Sequence, residues 1–139
     1  MATVQLLGDF TFPGKVDEVS PARRTVRRAA AAHLKVPERS QRTVLDTVEL
    51  LTCEVITNAL RHTVSGLDGG EVRVRMLATE DTFRVEVLDQ GAIGSIPEIC
   101  APDPMSECGR GMFLVEALAK EWGAIRNRTG TRTWFEVPF

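Results

Sequence analysis

The feature that most constrains the fold of this chain is a long amphipathic helix, which the sequence predicts from residue 41 to about residue 63. Its apolar residues recur every three or four positions and share one face: Val44, Val48, Leu51, Val55 and Ala59. Glu54, Asn58 and Arg61 have the spacing i, i+4, i+7 and share a second face beside the first. A carboxylate, an amide and a guanidinium therefore line the edge of a core-facing helix.

Polar groups at such a border need partners, because burying one unpaired costs roughly 1 to 3 kcal/mol. The spacing alone leaves two interpretations open. The three side chains cap or pair with neighbouring loops, or they bind a ligand.

Length and composition favour one ordinary globular unit. The chain has 139 residues, so we expect a single domain spanning residues 1–139. No apolar run approaches the ~20 residues of a membrane span and no signal-peptide pattern opens the chain, so we expect a cytoplasmic protein without membrane contact. A net charge of −2 argues against direct nucleic-acid binding, which depends on neutralising phosphates.

The three cysteines, Cys53, Cys100 and Cys108, are too few for a disulfide framework and lack zinc-finger spacing. We expect free reduced thiols. Cys100 and Cys108 fall in one loop, so a regulatory disulfide between them stays open.

The first part of the chain predicts a strand at residues 4–12 and then a helix. Ser20 is suited to the N-cap of that helix and Pro21 to its first position, and Pro37 ends it. Its apolar face holds Ala22, Val26, Ala30, His33 and Leu34. The other face holds four arginines: Arg23, Arg24, Arg27 and Arg28. These form either a solvated face or a docking surface for an acidic protein partner.

Two segments that alternate between apolar and polar residues, 72–76 and 83–87, predict an antiparallel hairpin. Asp89 continues the apolar parity of the second segment, so its carboxylate should point toward the covered face of the sheet. An aspartate aimed into a core is unusual. It either caps the next loop or binds something.

Residues 91–107 are irregular, and a loop of this length in a compact domain is often a lid or a binding loop. Gly109-Arg110-Gly111 then opens a helix with the apolar residues Met112, Val115, Leu118, Ala119 and Trp122, which Gly123 should end. A glycine pair before a helix lets backbone N–H groups approach an anion. Strands at residues 124–127 and 131–137 complete the prediction.

The order of these motifs over residues 40–139 resembles the GHKL (Bergerat-fold) ATP-binding superfamily. The motifs are Glu54-x-x-x-Asn58-Ala-x-Arg61-His62, Asp89-x-Gly91, Gly109-Arg110-Gly111-Met112, Gly130-Thr131 and the ending 133–138. They look most like the anti-sigma-factor serine/threonine kinases of bacterial partner-switching systems, in the form found in actinomycetes. The resemblance implies a two-layer α/β sandwich, with a mixed, mostly antiparallel sheet and helices on one face.

The resemblance also implies roles for residues on the long helix. Asn58 matches the residue that holds Mg²⁺ against the ATP phosphates. Glu54 matches the carboxylate that acts as general base toward the attacking hydroxyl. Arg61 occupies a basic position from which phosphate is within reach.

Other matched positions belong to the two ends of the nucleotide. Asp89 matches the carboxylate that accepts a hydrogen bond from the adenine amino group, and Gly91 lets the backbone pass beside the base. Thr131 matches a hydroxyl that assists adenine recognition. The segment Gly109, Arg110 and Gly111 falls where the phosphates meet a helix N-terminus.

One departure from the family pattern lies after Asp89. Ile93 stands where the second glycine of Asp-x-Gly-x-Gly is expected, and Gly94 follows it. Because a β-branched residue does not readily adopt φ > 0, the loop should run differently here. Gly94 is therefore a candidate for remaking the purine pocket.

The function implied is an ATP-dependent serine/threonine protein kinase acting as an anti-sigma factor. It would bind a sigma factor and phosphorylate an anti-anti-sigma antagonist, and a homodimer stays open because relatives commonly dimerise. The alternative is a non-catalytic regulatory switch with a degenerate ATP pocket: Glu54 and Asn58 favour the enzyme, whereas the altered segment 91–94 favours the switch. A sensor histidine kinase is disfavoured, since no dimerisation helix with a phosphoacceptor histidine precedes the motifs.

Overall fold

Five strands and three α-helices form the described part of the chain, which a computed structural model covers at residues 3–34, 38–62, 64–91, 110–127 and 129–139. Side chains are described throughout these ranges except at residues 38–40, 62, 64, 110 and 111. The elements in chain order are β1 (Gln5–Pro13), α1 (Val19–Leu34), α2 (Glu38–His62), β2 (Glu71–Ala78), β3 (Thr82–Leu88), α3 (Arg110–Leu118), β4 (Glu121–Asn127) and β5 (Gly130–Pro138).

The strands form one sheet in the order β1-β2-β3-β5-β4, and each neighbouring pair is antiparallel. Val74, Val85 and Phe135 are fully buried on one face of this sheet. The helices cover that face: α1 packs on β1 and β2, while α2 packs on β3 and β5. The predicted two-layer α/β sandwich is confirmed. No parallel pair, which a mixed sheet allowed, occurs among the described strands.

The predicted hairpin and the predicted helix stripe are both present. Val74 pairs with Val87 across β2 and β3, so the alternating residues share the inner face. On α2, the predicted stripe is buried at Val48, Leu51, Val55 and Ala59, while Val44 is half-buried. α2 begins at Glu38, three residues before the predicted start.

Helix α1 begins one residue before the predicted N-cap, Ser20. A 3₁₀ turn at Val16–Glu18 runs directly into the helix, so Val19 already has helical dihedrals. Pro21 still lies in the first turn, where its missing N–H leaves no intrahelical bond unmade. The predicted stop at Pro37 lies outside the described residues.

The last residues of α1, His33 and Leu34, lie on its covered face as predicted and are half-buried. His33 packs edge-on against Phe83 and Phe139, with ring centroids 5.9 and 5.8 Å away. Leu34 is likewise half-buried.

The prediction that α3 extends to Gly123 is wrong. The helix ends at Leu118, which is exposed, and β4 already begins at Glu121. Cross-strand pairing outweighs helical periodicity here, because Trp122 pairs with Phe135 and Gly123 pairs with Trp134. The Trp134 indole lies so close to Gly123 that an added Cβ would meet it at 3.0 Å.

The four arginines of α1 do not form one free basic face. Arg23 pairs with Glu49 of α2 at 2.6 Å. Arg27 pairs with Asp46 at 2.8 Å and with Glu49 at 2.7 Å. Two of the four arginines therefore tie α1 to α2, whereas Arg24 and Arg28 are exposed. Of the four, only Arg24 and Arg28 remain candidates for a docking surface.

Cys53 is a free, half-buried thiol on α2, and burial raises its pKa above the ordinary value. Cys100 and Cys108 lie outside the described residues. Among the helices that the structure describes, none combines the length and the apolar character needed to cross a membrane.

Candidate nucleotide-binding site

Asp89 lies at the end of β3 on the inner face of the sheet and is only 7% exposed, in agreement with its predicted direction. Its backbone N–H donates to the carbonyl oxygen of Thr131 at 3.0 Å. Its carboxylate oxygen Oδ1 accepts from the N–H groups of Thr131, at 3.1 Å, and of Gly91, at 2.9 Å. Three predicted site residues, Asp89, Gly91 and Thr131, are thus brought together where the end of β3 meets β5.

The Asp89 carboxylate has one oxygen occupied and one available. Both backbone donors bind Oδ1, and Oδ2 receives no hydrogen bond from the residues that the structure describes. Burial raises the pKa of Asp89, and the two N–H bonds lower it by a smaller amount. A buried carboxylate with a free oxygen is a strong acceptor for an N–H donor of a ligand, such as an amino group.

The backbones of β5 and of the turn after Asp89 approach each other unusually closely. Gly91 has φ +107°, a conformation that L side chains rarely adopt. An added Cβ at Gly130 would stand 1.8 Å from the carbonyl oxygen of Asp89. Glycine is therefore required at residue 130 for β5 to approach the turn at residues 89–91.

The hydroxyl of Thr131 is an unsatisfied polar group where β5 approaches this turn. Thr131 is 2% exposed, and its Oγ1 atom is buried without a hydrogen-bond partner in the described part of the structure. A buried polar group left unpaired costs about 1 to 3 kcal/mol, so a ligand that pairs with it gains that amount in binding. Asp89 Oδ2 and Thr131 Oγ1 are thus two polar atoms at this site without a hydrogen-bond partner among the described residues.

The other predicted residues lie on helices packed beside this turn. Glu54 and Asn58 are half-buried on α2, which packs against β3, β5 and α3. Arg110 and Gly111 occupy the first turn of α3, as predicted. The N-terminal end of a helix is suited to binding an anion. Gly94 and Gly109 lie outside the described residues, as does the rest of the predicted lid.

Arg61 has different surroundings. It is exposed near the end of α2 and lines a cavity of about 440 Å³ together with Lys15, Val16 and Leu60. Neither Glu54 nor Asn58 nor Asp89 lines that cavity. Contact of Arg61 with phosphate stays a prediction.

A divalent ion at Asn58 would be held by few protein ligands. The described residues include no cluster of three or more His, Cys, Asp or Glu side chains. Mg²⁺ prefers oxygen ligands, keeps several waters and is commonly bound through one or two side chains plus substrate phosphates. The amide oxygen of Asn58 fits such a site.

Sequence reasoning missed Ser65 and Gln90. The Ser65 hydroxyl accepts the N–H of Gln90 at 2.8 Å, and the Gln90 side-chain oxygen Oε1 accepts the N–H of Glu71 at 2.8 Å. The only signal in the sequence was that Gln90 lies between Asp89 and Gly91. No periodicity marks Ser65, which follows the long helix in a turn.

The fold agrees with comparison to known families. Residues 12–137 match the family described as the histidine kinase-like ATPase domain. The chain belongs to this family, whose description implies use of ATP.

The more similar proteins include two serine-protein kinases named RsbW. The one from Bacillus pumilus is 29% identical over 131 residues, which cover 86% of this chain and 77% of the relative. The one from Listeria monocytogenes serotype 4a is 31% identical over 84 residues, covering 53% of this chain and 54% of the relative. Blue-light-activated histidine kinase 2 from Erythrobacter litoralis is 34% identical over 94 residues, which span only 27% of its length. Together these similarities support a kinase.

Proposed function

We propose that this chain is an ATP-dependent serine/threonine protein kinase that acts as an anti-sigma factor in a bacterial partner-switching system. It would bind a sigma factor and phosphorylate an anti-anti-sigma antagonist on serine or threonine. The observation that carries the nucleotide part is the pair formed by Asp89 and Thr131: a buried carboxylate with a free oxygen beside a buried hydroxyl without a partner. The protein substrate rests on similarity to the two serine-protein kinases.

The base end of the proposed site consists of Asp89, Gly91 and Thr131. Oδ2 of Asp89 would accept a hydrogen bond from the adenine amino group. The hydroxyl of Thr131 would bond a ring nitrogen or an ordered water beside the base. Gly91 would let the backbone pass beside the base, and Gly130 lets β5 approach the carbonyl oxygen of Asp89.

At the phosphate end, bound ATP supplies the phosphoryl group. The amide oxygen of Asn58 would bind Mg²⁺, and the carboxylate of Glu54 would accept the proton of the antagonist hydroxyl. The backbone N–H groups of residues 109–111 and the side chains of Arg110 and Arg61 would bind phosphate. Phosphoryl transfer depends mainly on such positioning and charge neutralisation.

The partners would be proteins of the cytoplasm. We assign the activity to one domain and propose a homodimer as its assembly. Arg24 and Arg28 are the proposed docking residues for an acidic partner. They lie one helical turn apart on α1, are exposed, and have no ion pair among the described residues.

A second candidate is a non-catalytic switch that regulates by protein binding alone. Ile93 in place of a family glycine favours it, because this substitution alters the segment after Gly91. The two candidates differ in chemistry and not in partners.

Transfer of phosphate to the antagonist distinguishes the kinase from the non-catalytic switch. The purified chain is incubated with Mg²⁺, ATP and an anti-anti-sigma antagonist, and the antagonist is analysed by mass spectrometry for phosphoserine or phosphothreonine. The kinase proposal expects phosphorylation by the wild type and loss of it in Glu54→Ala. A complex with the antagonist that never yields phosphate transfer supports the non-catalytic switch instead.

A further inference from the structure

The turn after α2 is packed tightly into the sheet. Ser65 lies three residues beyond the end of α2 and is fully buried. Its carbonyl oxygen stands between two glycines: an added Cβ would lie 1.6 Å from it at Gly14 and 2.1 Å from it at Gly70. The backbone of Ser65 therefore lies close against Gly14, which follows β1, and Gly70, which precedes β2.

From this fixed position Ser65 reaches the turn that carries Asp89. Its hydroxyl oxygen accepts the N–H of Gln90 at 2.8 Å. The side chain of Gln90 reaches back, and its Oε1 accepts the N–H of Glu71 at 2.8 Å. Gln90 is thus bonded through both its backbone and its side chain. The first bond leads to the turn after α2, and the second leads to the start of β2.

These bonds are separate from those that orient the carboxylate. Asp89 is held by Thr131 through two bonds on the β5 side of the turn. The bonds of Ser65 and Gln90 instead join this turn to residues outside β5. Glu54 and Asn58 lie on α2, the helix that ends three residues before Ser65.

We propose that Ser65 and Gln90 are positioning residues that set the distance between the base end of the nucleotide site at Asp89 and its phosphate end on α2. This inference rests on the proposed nucleotide site and extends it. A ligand that touches both ends at once benefits from a preset distance, because less ordering is required on binding. A ligand that touches the base end alone does not.

The test compares ATP with adenosine in Ser65→Ala. ATP affinity, measured by isothermal titration, should fall about tenfold, equivalent to about 1.4 kcal/mol. Adenosine affinity, measured by NMR titration, should stay within about twofold, since Asp89 and Thr131 keep their mutual bonds. Unchanged ATP affinity would overturn the inference. Equal weakening of both ligands would also overturn it, because the bond would then serve only the local shape of the turn.

Thr25→Ala is the matched control. It removes one hydroxyl that donates to the carbonyl of Pro21 at 2.9 Å in α1, away from the turn, and it should leave both affinities unchanged.

Gln90 provides a second, exposed pair of variants for which folding is not at risk. Gln90→Met keeps the length of the side chain but loses the acceptor, whereas Gln90→Glu keeps an acceptor oxygen. ATP should bind several-fold more weakly to Gln90→Met than to Gln90→Glu, with adenosine alike for both. Equal ATP affinities would overturn the role of Gln90.

Amide hydrogen exchange in the ligand-free protein distinguishes failure of this inference from failure of the proposed function. The Gln90 amide should exchange about tenfold faster in Ser65→Ala, with the Thr131 amide unchanged. Normal ATP binding combined with unchanged Gln90 exchange would overturn the positioning link alone. Absence of ATP binding by the wild type would overturn the proposed function and the positioning role with it.

Discussion

Asp89 and Thr131 bind each other through two different groups: the N–H of Asp89 donates to the Thr131 carbonyl, and the N–H of Thr131 donates to the Asp89 carboxylate. The pair extends the β3–β5 ladder one step beyond the pairing of Leu88 with Arg132. Because Asp89 bonds with its side chain as well as its backbone, one carboxylate oxygen is fixed, whereas the other receives no hydrogen bond from the described residues.

Replacing Asp89 by Asn separates those two roles. The Asn side-chain oxygen can still accept both N–H groups, while an amide NH₂ replaces the free oxygen. We expect ATP to bind about tenfold or more weakly, since a hydrogen bond to a charged group contributes roughly 1.5 to 3 kcal/mol. Discrimination between ATP and GTP should also fall, as competition titrations would reveal. A folded variant with wild-type ATP affinity would rule out the base site.

The stability of the wild type relative to this variant should depend on pH in a defined direction. Burial raises the pKa of Asp89 above 3.8, so folding disfavours its ionised form. Its contribution is therefore present below the unfolded pKa and is lost as the pH rises through the folded value. At neutral pH, Asp89→Asn should melt at the same temperature as the wild type or higher. A lower melting temperature with unchanged nucleotide binding would identify Asp89 as a loop cap.

Thr131→Val tests the unpaired hydroxyl. Because Oγ1 has no partner in the described structure, its removal should leave thermal stability unchanged or raise it. ATP affinity should fall roughly fivefold, corresponding to one neutral hydrogen bond of about 1 kcal/mol. Thr131→Ser, which keeps the hydroxyl, serves as the control. Loss of stability in Thr131→Val without loss of affinity would contradict a ligand-binding role.

Sequence patterns predicted those features that depend on local periodicity. The stripe Val48, Leu51, Val55 is buried because one helical face must cover the sheet, and Asp89 points inward because strand parity continues past Leu88. The end of α3 was mispredicted because Trp122 fits a helical period equally well. Only its pairing with Phe135, distant in sequence, decides for a strand.

Contacts between elements were beyond reach for the same reason. Nothing local marks the pairing of Arg27 with Asp46, or the bond from Gln90 to Ser65. Both require knowing which elements become neighbours.

Glu54 and Asn58 lie one turn apart on α2, yet their variants should behave differently. Glu54→Ala should leave ATP binding nearly intact and slow antagonist phosphorylation by the ~10² to 10⁴ typical of general-base loss. Asn58→Ala should weaken Mg²⁺-dependent ATP binding itself. Titration and single-turnover phosphorylation distinguish the two. Equal loss of ATP binding in both variants would contradict the division of roles.

The arginines of α1 should also separate into two classes. Reversing Arg24 and Arg28 to Glu should slow association with a sigma factor or antagonist, most strongly at low salt, with little change in melting temperature. Reversing Arg27 should lower the melting temperature, because it breaks the pairs with Asp46 and Glu49, each worth about 0.2 to 1 kcal/mol. Biolayer interferometry at two salt concentrations measures the association rates. Equal association rates for the Arg24/Arg28 variant and the wild type at low salt would show that these two residues form only a solvated surface.

The central claim is that the turn at Asp89 and Thr131 reads adenine in a Mg²⁺-dependent ATP site. Isothermal titration of ATP in the presence of Mg²⁺ tests it most directly, with wild type and Asp89→Asn compared side by side. We expect saturable binding by the wild type, weakened when Mg²⁺ is chelated and reduced about tenfold or more in the variant. Absence of ATP binding by the folded wild-type protein, or equal affinities in both proteins, would contradict it.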